Sequence, residues 1–290
     1  MGLRLKFNLV LLLVFAIGLG VTGYISYELL HRNARDEVLR NAGVMMEAAL
    51  SMRSYTNTQI RPLIPFSDAA FHPQSVPAYS ATEIMAALRK KYADYSYKEA
   101  ALNPTNPRNK AVEWETDIVN VFRNNPDRGE ISGMRDTPTG QSLYLARPFQ
   151  IKDKACLACH TTAAEAPPAM VKIYGSSNGF GWKHMEVIGA QIVSVPMALP
   201  IQNANRAFYT FMVSLAAVFL ALFVIMNVMM SLLIVRPITR MSEAADKIST
   251  GDMDIAEFSD TGKDEVALLG KSFNRMRRSL AKAIDLINKS

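Results

Sequence analysis

Residues 154–160 read Lys-Ala-Cys-Leu-Ala-Cys-His, and this stretch holds both cysteines of the 290-residue chain and one of its four histidines. Two thiols this close enclose too short a loop to staple a domain. Nor do they make a closed zinc site, which takes four ligands and so a second pair elsewhere. Two chemistries remain. One is a redox-active dithiol of the Cys-x-x-Cys kind; the other is covalent attachment of a c-type haem, whose pattern is Cys-x-x-Cys-His. In the second, each thiol adds across one haem vinyl group, and the two-residue spacing brings both sulfurs to one porphyrin edge. The adjacent imidazole then becomes an axial ligand of the iron. A dithiol site needs no histidine and usually follows a strand in a βαβ unit. The flanks here, "RPFQIKD" and "TTAAEAPPAM", read as a strand end and a loop. We therefore read Cys156 and Cys159 as the haem c attachment residues and His160 as the proximal ligand.

Other candidate chemistry is sparse, and the chain reads as no enzyme. No triad, metal cluster or catalytic carboxylate pair stands out. Glu113 and Glu115 of "EWE" point in different directions on a helix and read as a solvated face. Gly175, Gly179 and Gly181 in "YGSSNGFGWKHME" lack the Lys-Ser/Thr pair and the following helix of a phosphate loop. They read as a hairpin turn with His184 at its tip.

These residues must be carried by a folded domain, and the composition, 49% hydrophobic with modest charge, suits one. Two apolar runs, 7–30 and 208–235, each exceed the roughly 20 residues that a membrane-spanning helix needs. The first could instead be a cleaved signal, but it is longer than such a segment and no small-x-small site follows it. Asn227 in the second reads as a tolerated polar residue. Between the spans, Val38, Ala42, Met45, Ala49 and Met52 recur in steps of four and three and predict a helix over 31–60. Residues 61–80 are rich in proline and aromatics and read as irregular. Helices are predicted over Thr82–Tyr92, capped by Thr82, and over Lys110–Asn124. Strands are expected at "QSLYLARPFQI", "AMVKIYG" and "VIGAQIVSVPM". After the second span, Ile238, Met241, Ala245 and Ile248 form one heptad-like stripe that Gly251 ends. Val266, Leu269, Phe273, Met276, Leu280, Ala283 and Ile287 form a second, as coiled-coil seams do. The expected class is α+β for the haem domain, with an all-α coiled-coil module after it.

Two stretches carry resemblances. "RPITRMSEAADKISTGDMD…DEVALLGKSFNRMRRSL" closely resembles a HAMP domain, with Pro237, Gly251, Glu265, Phe273, Asn274 and Met276 on its pattern. "ALNPTNPRNKAVEWE", "CLACH" and "PPAMVKIYGSSNGFGWKHMEVIGAQIVSVPM" resemble the PAS-like c-type-haem sensor domains of some bacterial chemoreceptors and of a small cyanobacterial haem protein. The resemblance implies a PAS-like sheet holding one covalent haem, on a homodimer whose HAMP helices form a parallel four-helix bundle. It also implies a distal ligand from the N-terminal helix. On that helix Met52 lies on the apolar stripe, and its thioether would give His/Met ligation. His72, in the irregular segment, is the alternative.

The organisation that follows is a first transmembrane helix over 7–30 and an extracytoplasmic PAS-like haem domain over 31–207. A second transmembrane helix covers 208–235 and a cytoplasmic HAMP domain 236–290. Because haem c is attached outside the bacterial cytoplasmic membrane, the haem domain is expected in the periplasm and both termini in the cytoplasm. The net charge of +6 finds its partner in anionic lipid headgroups rather than nucleic acid. The leading function is a membrane haem sensor of redox state or a small gas. Since the chain ends just after the HAMP helix, it would relay to a separate cytoplasmic signalling protein. The alternative is a membrane-anchored electron-transfer cytochrome serving a respiratory or oxidase complex.

Overall fold

A computed structural model describes residues 2–64, 70–259 and 262–289, the last three in backbone only. The chain divides into two compact units, residues 27–207 and residues 1–26 with 208–290.

In the unit 27–207 the secondary structure begins with α1 (Leu3–Tyr55), which enters from the first apolar run. It ends in a π-helical turn at Thr56–Ile60 and a 3-10 turn at Arg61–Leu63, where Pro62 halts the helix. Next come α2 (Pro77–Arg89), β1 (Ser96–Ala101), α3 (Glu113–Asn124), β2 (Ile131–Thr137) and β3 (Gly140–Gln150). After these follow α4 (Leu157–His160), α5 (Pro168–Tyr174), β4 (Val187–Pro196) and α6 (Ala198–Met229). The four strands form one antiparallel sheet in the order β1-β4-β3-β2. Tyr97 lies opposite Val193, and Ala146 opposite Ile192.

Alternation along the strands sorts the core into two layers. Tyr97, Leu143, Leu145, Val193 and Val195 pack with Val38, Ala42, Met46 and Ala49 of α1 and with Ala81 and Met85 of α2. The opposite parity, Ala100, Ala146, Ala190 and Ile192, packs with Ile118, Val119 and Phe122 of α3. The central strand β4 is therefore covered on both faces, which is why it reads as a nearly continuous apolar run. The polar residues of β1 obey the same parity. Glu99 meets Arg53 on the α1 side, and Lys98 meets Glu115 of α3 on the other, at 2.6 Å.

Several expectations are corrected here. Helix α2 starts at Pro77, whose fixed φ suits a first helical position. Thr82 lies inside that helix and donates its hydroxyl to the Ala78 carbonyl. "AMVKIYG" is helix α5 rather than a strand; Pro168 opens it and Gly175 closes it. Strands β1 and β2 take its place in the sheet. Glu115 is buried: it caps the Val112 amide at 2.9 Å and pairs with Lys98, so it is no solvated residue. On α1 the buried methionine is Met46, and Met45 is only partly covered.

The unit formed by 1–26 and 208–290 contains the two apolar helices, both long and apolar enough to cross a membrane. Phe15 stacks on Phe219 with ring centroids 4.7 Å apart. Asn227 donates to the Phe223 carbonyl of its own helix. A π-helical segment, Met230–Val235, joins α6 to α7 (Arg236–Ser249), and α8 (Glu265–Lys289) follows a connector. On α7 the buried residues are Met241, Ala244 and Ile248; Ala245 points outward. Gly251 takes a positive φ of 95° just after α7 ends. Asn274 of α8 is buried and holds the connector with both ends of its amide, accepting from Phe258 N and donating to Phe258 O. On α8, Leu269, Met276 and Leu280 stand outward with 50%, 53% and 41% exposure. The Ile287 side chain lies outside the described residues.

Candidate functional site

The Cys-x-x-Cys-His segment is placed by the end of β3. After a bulge at Phe149/Gln150, Ile151 still pairs with the neighbouring chain: its amide donates to Glu186 O and its carbonyl accepts from Met185 N. Asp153 then accepts from the Ala155 amide at 2.8 Å and starts a 3-10 turn, Lys154–Cys156, that runs straight into α4. Three positions along one helical turn put Cys156 and Cys159 on one face. Both thiols are free and half-buried, and both line one cavity with His160.

That cavity, of about 400 Å³, falls within the range of cofactor and ligand sites. Its walls come from every layer of the domain: the end of α1 (Arg53, Ser54, Asn57, Arg61), the start of α2 (Pro77, Tyr79), β1 (Glu99, Ala101) and the β3 end (Phe149, Ile151). Thr105, Met170, Tyr174 and Trp182 complete it. The α1 residues 53, 57 and 61 share one helical face, so a polar stripe meets the thiols.

His160 is held with care. Its Nδ1 lies 2.7 Å from the Gly179 carbonyl and 3.3 Å from Thr105 Oγ1. A carbonyl only accepts, so Nδ1 carries the proton and Nε2 keeps its lone pair. This is the second-shell arrangement that orients a metal-binding imidazole. Burial pushes the His160 pKa below its ordinary value, against the opposing pull of the Gly179 carbonyl, and so favours the neutral ring that a metal needs. The loop carrying Gly179 is tied down in turn. Gly179 N donates to Asn103 Oδ1, Asn103 Nδ2 donates to Phe180 O, and Gly181 N donates to Thr161 O. The expected hairpin is thus a loop folded over α4. His184 sits on it with its ring 3.2 Å from the Lys152 carbonyl.

Charge at the cavity is paired. Arg53 Nη1 meets both Glu99 oxygens at 2.6 and 2.5 Å, Tyr97 donates to the same carboxylate at 2.8 Å, and the guanidinium lies over the Phe149 ring. Burial and the Glu99 charge drive the Tyr97 hydroxyl far above its ordinary pKa, so it stays protonated as a donor. The two thiols are also pushed up, chiefly by burial.

These groups fit a covalently held haem. Two thiols lie on one helical face beside an imidazole with a free Nε2, the walls are mixed apolar and aromatic, and Arg53, Arg61 and Lys152 are present for carboxylates. Trp182 Nε1 adds a buried donor with no protein acceptor, as a haem carboxylate would require.

Comparison with known proteins covers most of the chain. The profile of the Tll0287-like family matches residues 31–196, more than half of the sequence. The chain belongs to the Tll0287-like family. A HAMP domain follows it, matched over 229–282. Among solved structures, the cyanobacterial heme-protein Tll0287 is similar at 16% identity and a TM-score of 0.45, over 55% of this chain and 95% of that one. No curated protein matches the chain.

Within the Tll0287-like domain Cys156, Cys159 and His160 converge on the cavity, but Met52 does not. One residue step turns the helix by about 100°. Arg53 therefore faces the cavity, whereas Met52 faces a separate groove with Ala48, Tyr55 and Ile84 and packs against the α1–sheet core. His72 is not among the cavity residues either; it precedes a 3-10 turn, and its carbonyl accepts from Ser75. His31 stays on α1 against Tyr27. Sequence reasoning missed Arg53, Glu99, Gly179 and Trp182. The signal was present for Gly179, since a glycine-rich stretch in a loop marks a close backbone approach.

Proposed function

We propose that this protein is a membrane-bound haem sensor, a receptor rather than an enzyme. Cys156 and Cys159 carry a covalent haem c, His160 binds its iron, and the HAMP module passes a conformational change to a separate cytoplasmic protein. A bound haem supplies a redox-active iron with a coordination position for a small ligand. The chain's own residues do the rest. Gly179 and Thr105 hold the His160 tautomer, Arg53 and Glu99 keep a paired charge at the cavity wall, and the α1 stripe of Ser54 and Asn57 offers polar groups to whatever enters. Because α1 runs unbroken from the apolar run to the cavity wall, a shift at the cavity has a stiff element to act on. The observation that carries the reading is a neutral imidazole with a free Nε2 beside two thiols, in a chain that also bears a HAMP domain.

The same reading places the haem domain in the periplasm, anchored in the inner membrane, and makes the protein a homodimer. The exposed Leu269, Met276 and Leu280 form an apolar edge of α8 that a second HAMP copy would cover. Single cysteines at Leu269 or Met276 are expected to cross-link in membranes, and Lys271 not to; the reverse pattern refutes the seam.

The decisive test is an optical spectrum of the purified protein, oxidised and reduced, with and without carbon monoxide or nitric oxide, after a haem stain of the denatured chain. Haem retained on denaturation and lost in Cys156→Ala/Cys159→Ala, with a spectrum that changes on gas or redox titration, supports the reading. A fixed six-coordinate spectrum that ignores both gases turns it toward an electron-transfer cytochrome. Absence of covalent haem overturns both.

A further inference from the structure

Trp182 lies flat against His160. The ring centroids are 3.9 Å apart and the planes differ by 15°. The backbone sets this stack, because Trp182 N donates to the His160 carbonyl at 3.2 Å and Gly181 N donates to Thr161 O at 2.9 Å. Trp182 belongs to neither of the two apolar cores of the domain, so its large ring is not there to fill the interior. It is half-buried on a loop and lines the cavity.

The geometry has a use. The bond from His160 Nδ1 to Gly179 O fixes the tautomer and one direction of the imidazole. A single hydrogen bond leaves the ring free to rock about the Nδ1–O line, and the second side-chain torsion of histidine is soft. A flat aromatic ring at van der Waals distance removes that freedom. The plane matters chemically, since an axial imidazole donates π density along one direction of the iron d shell, chosen by how the ring is turned.

We propose that Trp182 is a positioning residue whose indole sets the plane in which His160 presents Nε2 to the haem iron. This rests on His160 being the proximal haem ligand, and the test keeps the two apart. Full-length Trp182→Phe and Trp182→Leu are prepared in detergent or nanodiscs beside wild type. Covalent haem per chain comes from a haem stain, fold from far-ultraviolet circular dichroism, and the iron site from electron paramagnetic resonance of the oxidised protein and the reduction potential. The leucine variant, which keeps apolar bulk and loses the flat ring, is expected to broaden the g-values and shift the potential. The phenylalanine variant, which can still stack, is expected to stay near wild type in both. Haem loss in the leucine variant alone reads the same way. Wild-type resonance and potential in the leucine variant with haem retained overturn the proposal, as does an equal change, or equal haem loss, in both variants. A wild type that carries no covalent haem overturns the underlying reading of His160 and the proposal with it.

Discussion

Replacing Gly179 by alanine tests how His160 is held. Gly179 has φ +84°, and a Cβ there would fall on Thr105 Oγ1 and 2.7 Å from Thr105 Cα. A hydroxyl can rotate away, but a Cα belongs to the backbone, so one of the two loops must move. Holding alanine in the left-handed region costs about 1–2 kcal/mol. The movement also stretches two hydrogen bonds, His160 Nδ1 to Gly179 O and Gly179 N to Asn103 Oδ1, each contributing about 0.5–1.5 kcal/mol net. Together these give a loss of about 2–5 kcal/mol. For a domain of this size that lowers the melting temperature by roughly 5–15 °C. Thermal unfolding of the haem-loaded protein, followed by circular dichroism and by the haem band, measures it. Thr105→Ala alone is expected to be mild. Gly179→Ala with Thr105→Gly is expected to recover only part of the loss, because the Thr105 backbone contact and the strained φ persist. A Gly179→Ala protein that melts within about 1 °C of wild type, an effect of a few tenths of a kcal/mol, with an unchanged haem spectrum refutes the clamp.

Three further outcomes are expected. Glu99→Ala leaves the Arg53 guanidinium without its carboxylate beside the cavity and destabilises by about 3–5 kcal/mol in urea unfolding, whereas Arg53→Met with Glu99→Leu restores most of it. In apoprotein made without haem attachment, burial holds both thiols above the ordinary range. Alkylation by iodoacetamide should therefore run slower than for free cysteine at pH 8 and keep rising past pH 9; a plateau below pH 8 contradicts this. Asn274→Ala removes both bonds to Phe258, worth about 1–3 kcal/mol. Hydrogen exchange at the Phe258 amide should quicken by roughly ten-fold or more, given that ten-fold corresponds to 1.4 kcal/mol.

The sequence carried the chemistry of the site more fully than its surroundings. Cys156, Cys159 and His160 are legible because attachment chemistry fixes their spacing locally. The long helix through Val38, Ala42 and Ala49 and the strands at "QSLYLARPFQI" and "VIGAQIVSVPM" are legible because one or two buried faces imprint a period. β1 was not, since "SYKEAA" places Lys98 and Glu99 on opposite faces, and each is buried by an ion pair that no local pattern announces. "AMVKIYG" misled because a short apolar run has no period of its own, and the prolines before it decide for helix. Met52 failed as a ligand for a rotational reason. The apolar stripe marks the face of α1 that meets the sheet, while the cavity meets the polar stripe beginning one residue later, at Arg53. A ligand search along the greasiest face looks away from the cavity by construction.

The π-helical segment Met230–Val235 has a practical consequence for anyone mapping the junction between the second apolar helix and α7. Its wider turns take up more residues for the same rotation than the flanking α-helix does. Phase is therefore not conserved across it: counting in sevens from Val218 or Leu222 into Ile238 and Met241 assigns the wrong side of α7. Cysteine scans, alanine insertions and fusions of foreign output modules at this point have to be numbered in two frames, one ending at Met229 and one beginning at Arg236. A single-residue deletion between those two frames is a rotation of α7 by about 100° rather than a shortening of the connection.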